Sequence, residues 1–106
     1  MLKGSTFLSR TIITSENLGG MTFTPGFYIF PSVVYLDGVL TLDAQGDPDA
    51  VFVFRTYNTL ITSTNSSVVL INGGNNSNVF WQVGRSARFG LNTSFIGKIL
   101  TCANIS

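Results

Sequence analysis

Moved 27 positions along itself, the chain lays VFRTYNTLITSTNSSVV over FWQVGRSARFGLNTSFI, so that Phe54 falls on Trp81, Leu60 on Ala87, Asn65 on Asn92, Ser67 on Ser94 and Val68 on Phe95. Few residues are identical, but their character is kept. An earlier stretch, FYIFPSVVYLDGVLTLD, has the same rhythm at a shorter offset. Self-similarity at this period is what stacked supersecondary units leave in a sequence, and it constrains the architecture more than any single motif.

The units are strands. TFTPGFYIF, SVVYLDGVLTLDA, AVFVFRTYNTLIT, SSVVLI, NVFWQV and SFIGKIL are rich in β-branched and aromatic residues, and TPG, QGDPD, STNSS, NGGNNSN and GLN separate them. Gly73 and Gly74 suit turns, where left-handed backbone costs glycine nothing. The class is therefore all-β. A β-solenoid would stack each coil on the last at about 4.8 Å and pool the inward residues in one core. A small β-sandwich is compatible with the same strand and turn signals.

At 106 residues the chain forms one domain at most, large enough to bury about 65% of the surface its unfolded form exposes. Six Lys and Arg against five Asp and Glu, with no His, give no electrostatic footprint for nucleic acid or anionic lipid. The high apolar fraction argues against disorder. MLKGSTFLSRTIITS has no continuous apolar run of signal-peptide type, and nothing approaches the ~20 apolar residues of a membrane span. Cys102 is alone, so it forms no internal disulfide, and a buried thiol is the expectation.

Three of the five acidic residues, Asp43, Asp47 and Asp49, lie in LTLDAQGDPDAVFVF. A calcium loop would need six or more oxygen ligands at alternating positions, and a catalytic pair would need carboxylates driven apart in pKa within a cleft. A turn needs only Gly46 for the bend, Pro48 to fix φ, and carboxylates that bond nearby amides. The turn is expected. NGGNNSN lacks the Lys and helix of a phosphate loop, and no His exists to activate a Ser or Cys nucleophile. No catalytic residue, metal ligand or cofactor is expected, and the chain is not expected to be an enzyme.

NLGGMTFTPGFYIF, LTLDAQGDPDAVFVF, NSSVVLINGG, NVFWQVG and NTSFIGKIL, in this order and spacing from about residue 18 to 100, resemble the microbial ice-binding proteins. The resemblance implies a discontinuous, right-handed β-solenoid. It also implies that residues 1–106 are a partial domain, lacking the initial strands and the long helix that lies along the solenoid in that family, and its final coils. Some relatives carry paired cysteines where this chain has Ile29 and Asn78. An uncovered solenoid face and an open strand edge would favour self-association. The implied function is adsorption to ice from an extracellular or cell-surface location, without nucleic-acid or membrane partners. The alternative is a structural or adhesive surface module of the same fold that binds polysaccharide or a partner.

Ice is neutral and offers water oxygens on a lattice, so its ligand should be a flat, stiff, charge-poor plane. Thr suits this: its χ1 is restricted, its methyl orders neighbouring water and its hydroxyl anchors it. If Leu40, Leu42, Leu60 and Ala87 point inward, alternation turns Thr41, Thr59 and Ser86 outward, with Ile61 and Arg88 on the same side. The family's ice-facing pattern of Thr, a small residue, any residue, then Thr or Asn has degraded matches at Thr62-Ser63-Thr64-Asn65 and Phe89-Gly90-Leu91-Asn92. The candidate ice-binding residues are thus Thr41, Thr59, Thr62, Thr64, Asn65, Ser86 and Asn92. Arg85 and Arg88 detract from such a plane.

Overall fold

The computed structural model describes residues 10–101 and 104–105, the last two by their backbone alone; Cys102 lies outside the described residues. Each coil of the chain contributes in turn to three sheets, here called A, B and C. Sheet A contains β1 (Arg10–Ile12), β3 (Gly26–Phe30), β6 (Phe52–Thr56), β9 (Val79–Val83) and β11 (Lys98–Thr101). Sheet B contains β4 (Val34–Leu36), β7 (Leu60–Thr62), β10 (Ser86–Phe89) and β12 (Asn104–Ile105), and sheet C contains β2 (Thr22–Phe23), β5 (Val39–Asp43) and β8 (Ser67–Ile71). Single bridges, Asn17 with Tyr35 and Ser67 with Ser94, extend sheets B and C by one rung each.

Every pairing is parallel and follows chain order along each sheet. That excludes the sandwich, whose hairpins would pair strands antiparallel. The fold is a three-sided β-solenoid measuring 37 × 24 × 22 Å.

The internal repeat is the coil length. Phe54 pairs with Trp81 and Leu60 with Ala87, both 27 positions apart. Tyr28 pairs with Phe54 and Val34 with Leu60 at the shorter offset of 26. Val39 meets Ser67 at 28, because the B-to-C corner of the later coil, Ser63–Ser66, is two residues longer than Asp37–Gly38. Asn65 (φ 63°) and Asn92 (φ 59°) make the left-handed bend in successive long corners, a conformation that Asn tolerates better than other side chains.

Alternation along each strand sends every second residue into one shared interior. Sheet A contributes Tyr28, Phe54 and Trp81 as neighbouring rungs, with ring centroids 5.5 and 4.5 Å apart. Leu40 and Leu42 from sheet C and Val34, Leu36, Leu60 and Ala87 from sheet B close the core opposite. Polar side chains that enter it carry their own partners. The Ser66 hydroxyl donates to Leu36 O at 2.8 Å, Thr56 Oγ1 donates to Ser32 O at 2.8 Å, and the Trp81 indole donates to Ile96 O at 3.0 Å.

Candidate functional site

The acidic segment between β5 and β6 is a turn. Asp43 accepts from the Gln45 amide at 2.8 Å and from Asn72 Nδ2 at 2.7 Å, and Asp47 accepts from the Asp49 amide at 2.8 Å. The Asn72 bond, then the Gln45 amide, hold the Asp43 carboxyl below its ordinary pKa. Two of the three carboxylates are thus used as local caps on the bend.

The three outer flanks differ in chemistry. Sheet A exposes the row Arg10, Phe27, Val53, Phe80, Lys98 and beside it Ile12, Ile29, Arg55, Gln82, Leu100. Its three cations lie over rings, Arg10 on Phe27 at 5.7 Å, Arg55 on Tyr57 at 4.8 Å and Lys98 on Phe80 at 5.9 Å. Large aromatics alternate here with cationic side chains, so the flank is neither flat nor neutral.

Sheet B turns Tyr35, Ile61 and Arg88 outward in one row. Thr59 and Ser86 form a neighbouring row, their hydroxyls 3.4 Å apart. The central row runs from a phenol through an aliphatic group to a guanidinium, three side chains of unequal height. Arg88 is exposed at the end of that row.

Sheet C is different. No Lys or Arg occurs in β2, β5 or β8, and the single charge is Asp43 at the edge. Its outward rows are Thr22, Thr41, Val69 and Val39, Ser67, Ser94, with Ile71 beside Asp43. Nearly all are β-branched or short, so their heights match and their χ1 angles are restricted. Through the B-to-C corner this flank continues into the exposed Thr64, Asn65 and Asn92.

A family model described as ice-binding-like matches residues 2–106. The chain belongs to this family. The ice-binding protein of Nostoc sp. (strain HG1) is 50% identical over 94 residues, covering 89% of this chain and 35% of that protein. Ice-binding protein 1 of Shewanella frigidimarina (strain NCIMB 400) is 36% identical over 100 residues, covering 92% of this chain and 11% of the relative. Among solved structures, an ice-binding protein from an Antarctic biological consortium superposes with a TM-score of 0.83 at 39% identity, over 92% of this chain and 45% of that one. The Shewanella frigidimarina ice-binding protein 1 domain gives 0.86 at 33%, over 93% and 43%. This ice-binding-like chain therefore spans about a third of the Nostoc relative and about a tenth of the Shewanella one.

Within this member of the family, the seven candidate residues are dispersed. Thr41 lies on sheet C, Thr59 and Ser86 on sheet B, and Thr64, Asn65 and Asn92 in the corner between them. Thr62 is removed from any outer plane: it is 3% exposed, its Oγ1 is 3.0 Å from Thr93 Oγ1, and it accepts from the Gly90 amide at 3.1 Å. Thr62 belongs to the inward parity of Leu60, two residues before it. Its hydroxyl knits two successive corners rather than facing solvent. Thr22, Val39, Ser67, Val69 and Ser94, which the sequence reading did not single out, share the outer face of sheet C with Thr41. A shift of 28 lays Thr41 over Val69 and Val39 over Ser67, whereas Ser67 meets Ser94 at 27 and Thr22 meets Thr41 at 19, so no single repeat length gathers these rows.

Proposed function

We propose that the chain is an ice-binding, non-enzymatic module acting outside the cell, and that it adsorbs through the flank of sheet C and the adjoining B-to-C corner. Thr41 stands at the centre of this surface, with Thr22, Val39, Ser67, Val69 and Ser94 around it and Thr64, Asn65 and Asn92 at its margin. The observation that carries the reading is the cation-free flank of stacked β-branched and hydroxyl side chains at the strand spacing of about 4.8 Å. Immobile methyl groups restrict the neighbouring water, and the hydroxyls can hold it in place through bonds nearly as favourable as direct ones. Each contact is weak. Many registered contacts on one stiff plane pin a growing ice front. Ice-binding relatives covering most of this chain support the assignment.

The row of Thr59 and Ser86 on sheet B favours a second placement, because their hydroxyls are already paired across coils. Bulky substitutions separate the two. Thr41→Tyr and Val69→Tyr should abolish crystal shaping and recrystallisation inhibition, with Thr59→Tyr retaining both. The opposite pattern would move the site to sheet B, and an unaltered chain that leaves ice crystals unshaped at high concentration would end the ice-binding reading.

A further inference from the structure

Each coil passes through sheets A, B and C in that order, so the A-to-B corner is the corner that sheet C does not touch. A groove of about 280 Å³ runs there along the solenoid, crossing three successive coils, lined by Arg55, Tyr57, Gln82, Val83, Leu100 and Thr101 among others. Tyr57 and Leu100 are 55% and 59% exposed beside it, and Tyr57 is the most exposed aromatic ring among the described residues. The Arg55 guanidinium lies over the Tyr57 ring, 4.8 Å from its centroid.

We propose that this groove binds a carboxylated polysaccharide, a polymer of uronic acid type. The phenol holds the guanidinium by a cation–π contact and leaves its fork of donors free for a planar, bidentate anion. Among the described residues no carboxylate pairs with Arg55. Asp43, Asp47 and Asp49 cluster between sheets C and A, whereas Lys98 adds positive charge to the same flank as Arg55. Tyr57 and Leu100 supply apolar surface for the C–H faces of a sugar ring, and Gln82, in register beside Arg55, supplies an amide for ring hydroxyls. A groove that follows the stacking axis suits an extended chain rather than a compact ligand. Because the corner stands opposite sheet C, a bound polymer leaves the proposed ice surface uncovered.

The test is titration of the full chain with polygalacturonate and with the same polymer fully methyl-esterified, at low salt. Binding to the acid form alone is expected, weakened about tenfold in Arg55→Gln, the loss of roughly one charge-assisted contact. Tyr57→Ala should weaken it as well, and Arg88→Gln, on the flank of sheet B, should have little effect. Equal binding of the esterified polymer, no binding of either, or equal losses in Arg55→Gln and Arg88→Gln would each overturn the proposal, the last by showing diffuse charge attraction. Thermal melting of each variant separates loss of the site from loss of the fold. Ice shaping by Arg55→Gln should match the unaltered chain, so this inference and the ice-binding reading fail by different measurements.

Discussion

Phe54→Ala is the most informative perturbation of the fold, because Phe54 is the middle rung of the interior aromatic stack. It is 2% exposed, and its ring centroid lies 4.5 Å from Trp81, 5.4 Å from Phe23, 5.5 Å from Tyr28 and 6.3 Å from Phe30. Truncating a buried Phe costs about 3–5 kcal/mol in lost transfer energy and cavity. The stacked pairs with Trp81 and Tyr28, each worth roughly 0.5–1.5 kcal/mol beyond area, place this site toward the upper part of that range. A loss of about 4 kcal/mol is a large share of the 5–15 kcal/mol that holds a typical domain folded. With a urea m-value of about 2 kcal/mol per molar, the unfolding midpoint should fall by roughly 2 M. The single Trp, Trp81, reports unfolding by fluorescence, and far-UV circular dichroism checks the same midpoint independently of the altered ring environment. The control is Phe80→Ala, adjacent to Trp81 but on the outer side of β9 and only partly buried, for which about 1 kcal/mol or less is expected. Equal losses for the two variants, or a Phe54→Ala loss below about 1 kcal/mol, would refute the assignment of inward and outward residues on sheet A.

Thr62→Val should lower stability by about 1 kcal/mol through its lost hydroxyl bonds, while ice shaping by the folded protein stays unchanged; loss of shaping at full folding would return Thr62 to the ice surface. Gly97→Ala should cost about 1–3 kcal/mol in a thermal or urea melt, because Gly97 has φ 118° and an added Cβ would sit 2.8 Å from the Trp81 ring. Asp43 has its pKa lowered in the folded chain, so its small stabilising contribution is present above the ordinary carboxylate pKa and fades as pH falls below about 4. Urea midpoints at pH 7 and pH 2.5 should therefore differ slightly less in Asp43→Asn than in the unaltered chain, and a larger difference would contradict the sign.

Much of the solenoid was legible because a coil is a local unit. The chain must return to the same azimuth after each circuit, so the 27-residue self-match read out the pairing of Phe54 with Trp81 and Leu60 with Ala87 directly. Strand existence and the turn at Asp43, Asp47 and Asp49 followed from residue types whose conformational preferences act within a few positions. The inward place of Thr62 was also available, since Leu60 inward makes Thr62 inward, but the four-residue motif match obscured that parity. Tertiary structure alone decided which flank each outward residue occupies. Thr41 and Thr59 both point away from the core, yet they lie on different sheets because the corners between strands rotate the chain by an amount that alternation does not record. The chemistry of a flank is set by residues roughly 17 to 28 positions apart brought into one row, and that sum over coils exists only once the corners have set the angle at which each strand meets the next.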